Sequence, residues 1–175
     1  DMVDLKERAA AVRLLVLDAD GTLTDGGIYT GGDGELFKRF DIKDGLGIAL
    51  WHKVGGKTAV ITGRTSDSLA ARVKELGIAD LWQGCLDKRA AWEVLKARYG
   101  MTEAEIAYMG DDLIDLPLIT RAGLAAAPAD AVDEVKKRAH FVTKKAGGHG
   151  AVREIIEFIL KAQGRWDDLV KTFLP

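Results

Sequence analysis

The chain is expected to be an α/β protein, a three-layer, doubly wound and mainly parallel sheet with a small β-hairpin inserted after the first strand. Three observations carry that expectation. The short, mostly apolar runs at 14–17, 57–62, 106–109 and 124–127 have strand length and no polar alternation, as strands buried on both faces do. Stretches with apolar residues at helical spacing alternate with them, which calls for right-handed crossovers onto both faces of one sheet. The chain has 175 residues, so one core and a single domain, 1–175, are expected.

The elements follow in order. Leu14 to Leu17 form the first buried strand, and two carboxylates, Asp18 and Asp20, arrive at its C-terminal end ahead of Gly21. In an extended chain two such side chains point the same way, so both acids are expected to share one small site at the sheet edge where ligands bind. Residues 26–40 then break the strand-to-helix connection: Ile28-Tyr29-Thr30 and the run 35–40 flank Gly31-Gly32-Asp33-Gly34, a hairpin signature. Alone it would be marginal, so it is expected to pack on something, another subunit being one candidate.

A helix is expected over 44–54, stopped by Gly55-Gly56, and then a strand over 57–62 that delivers Thr62 and Gly63 to its end. Ser66 or Asp67 caps a helix running to Leu76, a weak strand spans 81–83, and Lys88 opens a helix through Tyr99. Thr102 to Glu105 have capping-box spacing, and the strand 106–109 ends in Gly110-Asp111-Asp112-Leu113-Ile114-Asp115. The strand 124–127, a helix over 131–138, a short strand at 140–142 and a final helix over 151–162 complete the alternation. The tail, 163–175, is too apolar for a free solvated end.

A net charge of -2 lacks the basic excess expected of a nucleic-acid binder. The single cysteine, Cys85, excludes an internal disulfide, and no apolar run is long enough to span a bilayer, so a cytoplasmic protein without membrane insertion is expected. Function must then come from what the strand ends gather: Asp18 and Asp20, Thr62, Lys88, and Asp111 with its neighbours. Clustered carboxylates repel unless a cation neutralises them, and an all-oxygen site suits Mg²⁺. A hydroxyl and an ammonium nearby are what the equatorial oxygens of a phosphoryl group require, so phosphoryl transfer through an aspartyl phosphate is expected.

The order Asp-x-Asp-Gly-Thr, Thr62, Lys88 and Gly-Asp-Asp-x-x-Asp resembles the haloacid dehalogenase-like phosphatases. Ile61-Thr62-Gly63-Arg64, Gln83-Gly84 and the run from Gly147 to Glu154 are similar to the capless subgroup that includes 3-deoxy-D-manno-octulosonate 8-phosphate (KDO 8-phosphate) phosphatase. Ala19 and Thr22 stand where that subgroup usually has Val. The resemblance implies a homotetramer in which the hairpin of one subunit helps close a neighbour's site. It implies hydrolysis of a sugar-acid phosphate, KDO 8-phosphate above all, in lipopolysaccharide precursor synthesis. It assigns Asp18 as nucleophile and Asp20 as general acid and base, with Thr62, Gly63, Lys88 and Arg64 holding the substrate. By the same resemblance Mg²⁺ is held by Asp18, Asp111 and the backbone carbonyl of Asp20, while Asp112 and Asp115 orient waters or Lys88.

Three alternatives are weighed against this. Relatives acting on a nine-carbon sugar acid carry Glu near position 64, whereas Arg64 can grip a carboxylate bidentately. A two-component receiver domain combines similar groups, but places the acidic pair and the phosphoacceptor on different strands. A catalytically silent assembly or regulatory domain would not need every catalytic residue type.

Overall fold

The computed structural model describes residues 2–175. Helix α1 (Met2–Ala11) precedes β1 (Leu14–Leu17), and the hairpin β2 (Tyr29–Gly31) and β3 (Gly34–Phe37) follows. Next come α2 (Ile42–Lys53), β4 (Lys57–Ile61), α3 (Asp67–Glu75), β5 (Asp80–Trp82), α4 (Arg89–Tyr99) and β6 (Ile106–Met109). The chain closes with α5 (Leu116–Ile119), β7 (Leu124–Ala127), α6 (Asp133–Lys136), β8 (Phe141–Val142), α7 (Ala151–Ala162) and α8 (Trp166–Lys171).

Six strands make one parallel sheet in the order β5-β4-β1-β6-β7-β8, and β2 and β3 pair apart from it. β1 lies at the centre, with Leu17 opposite Val60 on one side and Met109 on the other. Its side chains alternate between two cores, Leu15 and Leu17 joining one and Leu14 and Val16 the other. The first core is closed by α1, α2, α3, α7 and α8 through residues such as Ala9, Ile48, Val73, Ile155 and Leu169. The second is closed by α4, α5 and α6 through Trp92, Leu118 and Val135. Strand order decides where a site can form. The chain leaves β1 toward β4 and leaves β6 toward β7, so a crevice opens between the C-terminal ends of β1 and β6, where Asp18 and Asp111 stand.

Several elements differ from the reading of the sequence. α1 has no counterpart there, because its charged sequence turns only Leu5 and Ala9 toward the first core. α2 begins two residues before the expected start at Asp44, the amides of Lys43 and Asp44 in its first turn being capped by the Asp41 side chain. The helix expected over 131–138 shortens to α6, with turns on either side. The apolar tail contains α8, where Leu169 is buried and the Trp166 ring lies under Arg153 and Lys161 at 5.6 and 5.4 Å. No helix of the described residues is long and apolar enough to cross a membrane.

α2 and α7 are joined by one polar contact that titrates. Asp44, 2% exposed, accepts the backbone N–H of Arg153 at 2.8 Å with Oδ1, while its Oδ2 is buried without a partner. Burial is the main cause that pushes its carboxyl up to about 6. The raised value means that the folded state favours the proton, so stability falls as pH rises from about 4 through about 6, by on the order of 2–3 kcal/mol. Asp44→Asn keeps the acceptor and removes the charge. It should melt above the wild type at pH 7–8 and alike near pH 4, whereas Asp44→Ala, which strands the Arg153 amide, should lose about 1–2 kcal/mol near pH 4, where the wild-type carboxyl is neutral. Thermal melts across that pH range check both.

Candidate active site

Three βα connections build the site. β1 hands its last hydrogen bond on through the Asp18 amide, which donates to the Met109 carbonyl at 2.9 Å and sets Asp18 against the end of β6. The segment Ala19–Leu23 then winds into one wide turn, broken at Asp20 and at Gly21, whose φ is 83°. A Cβ on Gly21 would sit 1.9 Å from Asp111 Oδ2, so only glycine allows this turn to press against the β6 connection. Thr24 Oγ1 closes the turn by accepting the amides of Gly21 and Gly26, each at 3.2 Å. From the far end of the sheet the loop before α7 packs on its back: a Cβ on Gly147 would meet the Gly21 carbonyl at 1.8 Å.

Lys88, at the N-terminus of α4, reaches into the crevice with a side chain that has no solvent exposure. Its Nζ donates to Asp18 Oδ1 and Asp115 Oδ1, both at 2.7 Å, and to Tyr108 Oη at 3.1 Å. Asp115 is saturated: Tyr108 Oη donates to Oδ1 at 2.5 Å, and the amides of Asp111 and Asp112 donate to Oδ2 at 2.8 and 3.1 Å. Carboxylate oxygens of Asp18, Asp111 and Asp115 lie within 4.8 Å of one another. Burial first, and then Asp115, pushes the Asp18 carboxyl up to about 6 against the pull of Lys88. Burial, then Asp18 and Asp115, raises Asp111 to about 8. For Lys88, burial works against the charge, but the two carboxylates outweigh it and lift its pKa above the ordinary lysine value.

This charge pattern tests the donor set against a metal. Three carboxyl groups face one ammonium, and Asp115 already takes four donors, so Asp18 and Asp111 are left with open oxygen lone pairs. Such an all-oxygen pair is what a hard divalent cation fits.

Asp20 does not join the cluster. The chain leaves extended geometry at Ala19, and the Asp20 carboxylate pairs instead with Lys38 of the hairpin at 2.6 Å, with Arg64 Nε at 4.0 Å. The two acids thus stand two residues apart with separate side-chain partners, Lys88 for Asp18 and Lys38 for Asp20. Thr62 is buried at the end of β4, its amide donating to Trp82 at 2.9 Å. Gly63 faces Ile114 and Leu86, and Arg64 is about half exposed on the rim. Asp112 is exposed and caps the turn at Leu113, its Oδ1 accepting that amide at 2.7 Å.

Residues 60–156 match the family described as haloacid dehalogenase-like hydrolase. The chain belongs to that family. This hydrolase is 44% identical to the 3-deoxy-D-manno-octulosonate 8-phosphate phosphatase of Yersinia pestis, over 93% of the chain and 87% of the relative. It superposes with a TM-score of 0.96 on the phosphatase of that name from Moraxella catarrhalis, solved with magnesium, phosphate and KDO, at 38% identity over 99% of each chain. A cobalt-bound form from Haemophilus influenzae gives a TM-score of 0.91 at 37% identity, over 96% of this chain and 99% of that one.

Two residues of the hydrolase's site escape sequence reasoning. Tyr108 reads as one more apolar residue of a buried strand, and only its place two positions before Gly110 hints that its hydroxyl meets Asp115. Lys38 lies 18 residues from Asp20 in a hairpin whose register decides the contact, and no spacing rule signals it. The burial of Lys88 has a measurable consequence. Lys88→Met leaves Asp18 and Asp115 facing each other without a cation and should cost about 3–5 kcal/mol in urea denaturation without added metal. A loss below 1 kcal/mol would contradict the buried-cation geometry.

Proposed function

We propose that this hydrolase is a Mg²⁺-dependent phosphatase that converts KDO 8-phosphate to KDO and inorganic phosphate. The observation that carries the reading is the Lys88–Asp18–Asp111 cluster, in a chain similar over its whole length to a phosphatase solved with magnesium, phosphate and KDO.

In this reading Asp18 is the nucleophile. One carboxylate oxygen forms a bond to phosphorus as the bond to the sugar oxygen breaks, and that oxygen takes a proton from Asp20. Asp20 then removes a proton from water, whose oxygen displaces Asp18 and yields phosphate. The Lys88 ammonium keeps Asp18 ionised and faces the charge that develops on the transferring group. Thr62, buried at the end of β4, and the Gly63 amide that follows it would bind the oxygens of the same group. Asp18, Asp111 and the Asp20 carbonyl would hold Mg²⁺, which when bound neutralises charge on the phosphoryl oxygens. Arg64, exposed beside Asp20, suits the sugar-acid carboxylate. Free Cys85 fits a reducing compartment, and we place the reaction in the cytoplasm.

Phosphate release from KDO 8-phosphate tests the assignment. Wild type should turn over with Mg²⁺ and stop in chelator. Mg²⁺ should bind more tightly as pH rises through about 8, because the Asp111 proton must leave first. Asp18→Asn should lose about 10³-fold or more while the circular-dichroism spectrum stays that of the folded wild type. Turnover in chelator would refute the metal enzyme, and preference for a nine-carbon sugar-acid phosphate would reassign the substrate.

We also infer that the hairpin is an assembly surface, most simply in a homotetramer. Ile28 and Phe37 are 65% and 53% exposed, and Leu86 on the crevice rim is 76% exposed. Tyr29 stacks on Phe37 at 4.7 Å between ring centres, which stiffens the ribbon. Ile28→Glu with Phe37→Glu should dissociate the oligomer in sedimentation and cost more activity on the sugar phosphate than on an aryl phosphate. A monomeric wild type with full sugar-phosphate activity would rule this out.

A further inference from the structure

The hairpin is held over its own subunit by a polar chain. Lys38 follows β3, and its side chain is 5% exposed although it ends in an ammonium. That Nζ donates to Asp20 Oδ1 at 2.6 Å and lies 2.9 Å from Glu35 Oε2. Glu35 Oε1 accepts from the Ser66 hydroxyl. Ser66 in turn caps α3, accepting the Leu69 amide at 3.2 Å, and its own amide donates to Gln83 Oε1 at 2.7 Å. Asp20 is thereby linked through Lys38, Glu35 and Ser66 to the loops that follow β4 and β5.

We propose that Lys38 is a positioning residue for Asp20, fixing the carboxylate that exchanges protons with the leaving oxygen and with water; this rests on the phosphatase reading above. The geometry separates this role from two others. A substrate anion would compete with two carboxylates that already neutralise the buried ammonium, so Lys38 is not built as an anion site. A purely structural link from the hairpin to the domain would not need to end on Asp20. Asp20 is 30% exposed and receives one close cation, so without Lys38 the charged partner left to it among the described residues is Arg64, at 4.0 Å. Proton transfer from a misplaced acid is slow even when the acid is present.

The test is the dependence of the defect on the leaving group. KDO 8-phosphate expels an alkoxide that needs a proton, whereas p-nitrophenyl phosphate expels nitrophenolate, which does not. Lys38→Met should lower kcat on the sugar phosphate by about 10- to 100-fold with KM little changed, and leave the first-turnover burst of nitrophenolate within about threefold of wild type. Lys38→Arg should recover most of the loss. Glu35→Gln, which loosens Lys38 without removing it, should show the same pattern more weakly and serves if Lys38→Met does not fold. A nitrophenolate burst that falls as far as the sugar-phosphate kcat, a change confined to KM, or wild-type kcat would each overturn the proposal. A wild type that hydrolyses neither ester would instead defeat the phosphatase reading itself, and this inference with it.

Discussion

A lysine ammonium sealed under the end of a parallel sheet is costly unless every one of its protons is met, and the rest of the crevice is arranged to meet those of Lys88. Asp18, Asp115 and the Tyr108 hydroxyl surround it, from the ends of β1 and β6 and the turn that follows β6. Each of those groups depends on the cation in return. Without it, burial would favour protonation of Asp18, and an acid in that state could not act as a nucleophile. Asp115 connects the two requirements. It takes Lys88 and Tyr108 with one oxygen and two consecutive backbone amides with the other, so the turn carrying Asp111 is fixed by the same carboxylate that fixes the lysine.

The oxygen lone pairs left open at Asp18 and Asp111 follow from this arrangement and match a hard divalent cation in chemistry. Gly21 makes the close approach possible, since any side chain there would occupy the position of the Asp111 carboxylate. The loop at Gly147 presses on the Gly21 carbonyl from behind, so α7 supports the turn although it lies on the other face of the sheet from α4. The hairpin differs in kind. It has an exposed apolar side at Ile28 and Phe37 and a polar underside ending in Lys38, which pairs with Asp20.

Much of this was legible in order along the chain. β1 and β6 are found where the apolar runs 14–17 and 106–109 place them, and the helix over 151–162 has the bounds that its periodicity implies. The reason is that strands buried on both faces and helices with one apolar face leave period-dependent patterns that survive without any knowledge of their neighbours. Ser66 as the cap of α3 and the Thr102–Glu105 box are equally local, because a cap is satisfied within three residues. α1 was not legible, since its contact with the core rests on a few small or isolated apolar residues in a charged sequence.

The sequence by itself determined the composition of the site: which acids follow which strands, that Lys88 opens a helix, and that glycine stands at position 21. Tertiary structure decided the pairing. Asp20 is two residues from Asp18 yet points to Lys38, because the turn after β1 abandons the extended geometry that would have aligned the two acids. Tyr108 became a polar partner only because β6 lies beside β1 and α4 crosses its end. A distance between side chains from three connections depends on sheet order and helix placement, and those are properties of the packed core that no local spacing encodes.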